Sequence, residues 1–114
     1  MSSAFRTKLF RDFAVRTTAL VKRGSGFLFA FHAQNRNAAI RYIQFYDQTT
    51  APAAGDVPFA AFPIPAAGSL TLDQDFFTSE GIAFKNGLIW AYSTTETSYT
   101  AGTAGEQTTH ITYA

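Results

Sequence analysis

GFLFAFHAQ (residues 26–34) sets an apolar side chain at every second position, with Phe27, Phe29, Phe31 and Ala33 on one face and Leu28, Ala30 and His32 on the other. A period of two marks an extended strand, because successive side chains of a strand point to opposite sides. The four-residue link QNRN (34–37) is polar and turn-like. Beyond it, AAIRYIQFYDQ (38–48) is apolar on both faces, with Ile40, Tyr42 and Tyr46 opposing Ile43 and Phe45. That pattern predicts a central strand covered on two sides.

Outward in both directions the alternation continues in short runs broken by turn residues. TTALVK (17–22) reads as a strand before the first run. QTTAPAAGDVP (48–58) is a loop by its Pro, Gly and small residues, and the prolines of FPIPAAG (62–68) keep that piece at a sheet edge or to a short strand. SLTLD (69–73) places Leu70 and Leu72 inward. Asn86-Gly87, between GIAFK (81–85) and LIWAYS (88–93), predicts a two-residue type I′ hairpin turn pairing 82–85 with 88–92. TTETSYTAGTAGE (94–106) reads as a long flexible tip, and QTTHITY (107–113) closes the series with Thr109, Ile111 and Tyr113 on one side. About eight strands at this spacing predict an all-β, single antiparallel β-sandwich of jelly-roll type.

FRTKLFRDFAVR (5–16) fits two periods at once. Phe5, Leu9 and Phe13 recur every four residues as on a helix, yet with Val15 they also share one face of a strand. Residues 1–16 are expected to form an N-terminal docking arm ahead of a sandwich domain spanning 17–114, the alternative being an ordinary first strand. The arm's partner-binding side chains are Phe5, Arg6, Lys8, Leu9, Phe10, Arg11, Phe13 and Arg16, apolar anchors interleaved with cations.

Composition narrows the function. The 114 residues fit one domain. With no cysteine, disulfides, thiolate metal sites and cysteine nucleophiles are excluded. No signal-like or membrane-length apolar run is present, which predicts a soluble protein made in the cytoplasm without membrane partners. Twelve Phe, five Tyr and one Trp outnumber nine Lys and Arg plus eight Asp and Glu. Charged residues at 15% are sparse for a free monomer, which points to a surface partly covered by partners or by further copies of the chain, the equal alternative being a Ser/Thr-rich surface that is soluble without charge. Residues 1–46 hold eight basic side chains against Asp12, a net +7, and the remainder holds seven acids against Lys85, a net −6. One end thus complements the other on a neighbouring copy.

Catalytic patterns are missing. His32 and His110 stand isolated in sequence, and no metal site is expected. Asp73 and Asp75 share a strand side, a spacing that is ordinary turn chemistry at a strand end and a weak basis for a glycosidase pair. No nucleophile elbow, P-loop or dinucleotide fingerprint occurs, so neither an enzyme nor a cofactor is expected. A nucleic-acid surface made of the basic first half is disfavoured because alternation buries Phe27, Phe29 and Phe31. Trp90 and Tyr92 at i, i+2 read as core, with a sugar-stacking platform as the alternative.

LVKRGSGFLFAFHAQNRNAAIRYIQFYDQTTAPAAGDVPFAAFPIPAAGSLTLD (20–73), GIAFKNGLIWAYSTT (81–95) and the closing ITYA (111–114) resemble small structural proteins encoded by tailed bacteriophages and prophages. The most specific pieces are the strand Tyr42-Ile-Gln-Phe-Tyr-Asp47 with its following Thr50-x-Pro-Ala53 loop, and Gly81-Ile-Ala-Phe-x-x-Gly-Leu88 before the Ser/Thr-rich tip. The resemblance implies a β-sandwich virion protein, most commonly a capsid decoration (cement) protein whose partner is the major capsid protein. Neck, tail, baseplate or fibre parts, the last with a receptor- or glycan-binding tip, are the alternative. It carries over no catalytic or ligand residue, and it leaves residues 1–16 outside.

Overall fold

The alternating runs do form strands. A computed structural model, which describes residues 7–13, 16–73 and 81–114, contains β1 (Lys8–Phe13), β2 (Thr18–Arg23), β3 (Gly26–Asn35), β4 (Arg41–Tyr46), β5 (Ala60–Ile64), β6 (Ser69–Leu72), β7 (Ile82–Phe84), β8 (Gly87–Ser93) and β9 (Gln107–Tyr113). They pair antiparallel in two sheets, one ordered β1-β9-β3-β6 with β7 also on β3, the other β2-β8-β4-β5. β6 lies along Phe31–Gln34 and β7 along Gly26–Leu28, so the two short strands share one edge position. Nine strands therefore fill eight places, and the interleaved order is that of a jelly roll. Pro63 sits in β5, at the free edge of the second sheet, where its missing N–H costs no ladder bond.

The core lies between the sheets. Leu28, Phe31, Ala33 and Ile111 of the first meet Ile43, Phe45, Trp90 and Tyr92 of the second. Phe31 packs 5.4 Å from both Phe45 and Phe62, ring centre to ring centre. Leu70 and Leu72 close the β6 edge against this cluster, as their spacing predicts. The outer face of the second sheet is apolar too, and Tyr46, Ile89 and Ala91 there are covered by Tyr99 and Leu20. This is why β4 reads apolar on both sides.

Three local expectations are corrected. Phe27, Phe29 and Phe31 do not share a face. Leu28 pairs with Tyr113 and Ala30 with Thr112, so the register shifts by one residue at Phe29, and this bulge turns both Leu28 and Phe31 into the core. Phe27 is left 39% exposed, stacked on Phe29 at 6.2 Å.

Segment 94–106 is tied down rather than a free tip. The fully buried Gln44 amide donates to the carbonyls of Thr95, Glu96 and Ser98 at 2.9, 3.1 and 2.9 Å. The backbone of Tyr99 exchanges bonds with Gly55 and Asp56 of the 47–59 loop. The Tyr46 hydroxyl donates to Gln44 Oε1 at 2.6 Å, and a buried amide held on both sides fixes such a turn because leaving it unpaired is costly.

Asn86-Gly87 is not a hairpin turn. Phe84 is buried in the core with β7 on β3, so the chain passes from one sheet to the other instead of folding back on itself. Neither residue has a positive φ. The corner is held by Asp47, whose carboxylate accepts from the backbone amides of Lys85 (3.0 Å), Asn86 (2.7 Å) and Gly87 (3.3 Å). Partial burial alone would raise this carboxyl, but the amides of Asn86, Lys85 and Gly87 and the Lys85 charge outweigh it and hold it below the usual carboxylate range. A depressed folded value means the stabilisation is complete above the unfolded carboxyl's pKa of about 3.9 and fades as pH falls through the lower folded value. Asp47→Asn is therefore expected to lower the urea midpoint at pH 7, with the gap from wild type narrowing at pH 3. A gap that is as wide at pH 3 would remove the carboxylate from this role.

Over Lys8–Phe13 the segment expected as a docking arm is a strand, paired with β9 along its whole length. Phe10 packs toward Trp90 and Asp12 is 2% exposed, so residues 8–13 pair and pack as a strand of the first sheet rather than as a separate arm. Residues 1–6, 14 and 15 lie outside the described residues.

Candidate interaction surface

Alternation along β1 sends Phe10 and Asp12 inward and Leu9, Arg11 and Phe13 outward. The inward pair fixes the strand. Asp12 accepts from Arg16 Nε at 2.9 Å and from Gln107 Nε2 at 3.1 Å, and Gln107 also donates to the Arg16 carbonyl at 2.9 Å. Thr109 Oγ1 donates to Gln107 Oε1 at 2.6 Å. A buried carboxylate is tolerated only when bonded in this manner.

The outward side chains belong to rows that cross the first sheet. Leu9 faces Thr112, Arg11 faces His110, and Phe13 faces Thr108 on β9. The rows continue on β3 through Ala30, His32 and Gln34, and His32 meets Thr71 on β6. Leu9 is 55% and Phe13 60% exposed. Two large apolar side chains thus flank a cation on a strand whose far edge has no partner strand among the described residues.

Of the side chains expected to bind a partner, Leu9, Arg11 and Phe13 come together on this face and Lys8 is exposed at its end. Phe10 does not join them, because its ring packs on the core 6.3 Å from Trp90. The Arg16 guanidinium is tied to Asp12. Phe5 and Arg6 lie outside the described residues.

The same face holds a pair that the sequence keeps far apart. His32 and His110 are direct cross-strand partners with ring centres 6.3 Å apart. His32 Nδ1 lies 2.6 Å from Thr71 Oγ1, and the Phe13 ring stands edge-on to His110 at 5.5 Å. Burial first, then His32 and Arg11, push the His110 imidazole below its ordinary value. Both histidines do sit on strand faces, but finding the pair requires the β3–β9 register, which no local pattern supplies.

Elsewhere an open groove of ≈ 370 Å³ lies beside β5, lined by Val57, Phe59, Ala61, Glu96 and Thr97. Trp90 and Tyr92 are each 1% exposed, and the Tyr92 hydroxyl donates to Asn35 Oδ1 at 2.8 Å and Glu106 Oε1 at 3.1 Å. They are core, and the sugar-stacking alternative is overturned for these two rings. Asp73 is exposed just past the end of β6, while Asp75 lies outside the described residues. No family model, curated protein or solved structure matches the chain.

Proposed function

We propose that this chain is a bacteriophage virion structural protein, a capsid decoration (cement) protein that binds the assembled shell through the outer face of β1. The observation that carries the proposal is the exposure of Leu9 and Phe13 about Arg11 on a strand that pairs only with β9 among the described residues. Unpaired edges with apolar side chains are aggregation hazards that proteins keep only when something covers them. The apolar pair supplies affinity, while Arg11 and Lys8 steer the face toward an acidic coat surface. Binding the assembled state and not the free subunits stabilises that state by mass action. The jelly roll is used by capsid, lectin and cupin domains alike, so the fold agrees with the proposal without selecting it.

A fibre head with a glycan-binding tip is the runner-up. It would have to find other rings than Trp90 and Tyr92, which are buried.

Leu9→Ser combined with Phe13→Ser is expected to keep the fold within about 0.5 kcal/mol, since both side chains point to solvent. Co-sedimentation with assembled coat shells is expected to weaken about tenfold or more, the loss that about 1.4 kcal/mol of contact produces. Wild-type binding is expected to fall with added salt. A double variant that still co-sediments like wild type would show that the shell is contacted elsewhere.

A further inference from the structure

We propose that the facing imidazoles of His32 and His110 form a binding site for a late first-row divalent ion, Cu²⁺ ahead of Ni²⁺ and Zn²⁺, on the outer face of the first sheet. The inference stands apart from the docking role of that face.

The pair is built into the fold rather than met by chance at a surface. His32 pairs with His110 between Phe31–Ile111 and Ala33–Thr109. Phe31, Ala33, Thr109 and Ile111 are all buried, and a slip of one residue would drive them to solvent, so the histidine register is locked. Two imidazoles on one ion, each at ~2.0–2.1 Å, set their ring centres roughly 5–6.5 Å apart. The observed separation is 6.3 Å. Closing on an ion asks for rotation about side-chain torsions and no backbone movement.

A hydrogen bond orients the His32 ring, and the Phe13 ring packs against His110. When His32 Nδ1–H donates to Thr71 Oγ1, 2.6 Å away, Nε2 carries the free lone pair, which is the ligand arrangement that outer partners of metal-bound histidines enforce. His110 makes no ring hydrogen bond among the described residues, and Phe13 stands edge-on to it at 5.5 Å.

Ligand type selects the metal. Imidazole nitrogen suits Cu²⁺, Ni²⁺ and Zn²⁺, whose affinities rank with Cu²⁺ first. Among the described residues no three or more His, Asp or Glu side chains gather, so Ca²⁺ and Mg²⁺, which need several oxygens, have no comparable place. Arg11, cross-strand from His110, opposes an ion there, but it is exposed and solvent screens the repulsion. Two protein ligands leave coordination positions for water or for a donor on a partner.

The test is calorimetric titration of the full chain with Cu²⁺, Zn²⁺ and Ca²⁺ in a non-chelating buffer, with His32→Gln and His110→Gln beside the wild type. One equivalent of Cu²⁺ is expected to bind, Zn²⁺ more weakly, and Ca²⁺ not at all, with either substitution weakening Cu²⁺ about tenfold or more. Should a variant fail to fold, the imidazole proton resonances of the wild type give the same answer, since substoichiometric Cu²⁺ is expected to broaden both histidines before other signals. Absence of saturable Cu²⁺ binding, binding that survives both substitutions, or broadening that spares one histidine each overturns the site.

Discussion

A chain shortened to begin at Thr17 is expected to lose its cooperative fold, appearing unfolded or aggregated by circular dichroism and size-exclusion chromatography. Removing β1 strips six residues of ladder from β9, at about 0.5–1.5 kcal/mol net per hydrogen bond. It uncovers the core beside Trp90 where Phe10 packs, worth roughly 1–2 kcal/mol for a half-buried ring. It also leaves the buried Gln107 amide without Asp12 and the Arg16 carbonyl, a loss of about 1–3 kcal/mol. The ordering entropy regained by the deleted residues offsets part of this. What remains is a large share of the 5–15 kcal/mol that holds a small domain together. A detachable docking arm gives the opposite outcome, a soluble folded chain that no longer binds particles. An unchanged denaturant midpoint in the shortened chain would therefore restore the arm and remove β1 from the structural core.

The second large effect is expected at Gly87. A Cβ built there meets the Gln48 carbonyl oxygen at 2.8 Å, Thr49 Cγ2 at 2.9 Å and the Lys22 carbonyl oxygen at 3.0 Å. Two of these are backbone atoms that cannot swing aside. Gly87→Val is expected to cost roughly 3 kcal/mol, the upper part of the overpacking range, because the corner must open and loosen the amide contacts to Asp47. Asn86→Val, with an exposed side chain and no positive φ, is expected to stay within about 0.5 kcal/mol of wild type. A type I′ turn would instead make both substitutions costly, since both central residues then need positive φ. Urea midpoints of the two single variants decide between close approach and turn geometry.

These two cases mark where the sequence was legible. The strand content, the two-faced β4, the edge position of the Pro63 strand and the inward Leu70 and Leu72 follow from alternation and turn chemistry, which are local. The jelly roll itself was reached from strand number and spacing. What local pattern missed needs a partner strand. Asn-Gly is the strongest short-range hairpin signal, yet β3 captures β7 first, and the chain crosses between sheets. The bulge at Phe29 breaks an alternation that looks unbroken in the letters, because only the Tyr113 and Thr112 pairings show the extra residue. On the candidate surface, Leu9, Arg11 and Phe13 share one outward face, whereas Phe10, named with them, has the opposite phase on the strand and packs inward. A strand reading of residues 8–13 would have separated them at once.

The place of β9 in the first sheet has a consequence for how the protein is made. β9 is the last of the nine strands in chain order, yet it lies between β1 and β3 and joins Lys8 to Tyr113 at its far end. The second sheet has all four of its strands once Ser93 is in place, whereas β1 and β3 lack their common neighbour until residues 107–113 are synthesised. Pairing across so much chain is slow, of the order of milliseconds to seconds for all-β folds. During that interval Leu9, Phe13 and the unpaired edges of β1 and β3 stand open in the cell, and neighbouring nascent chains are the natural competitors for them. High expression of this chain therefore sets a race between β9 closing its own sheet and strand exchange with a neighbour.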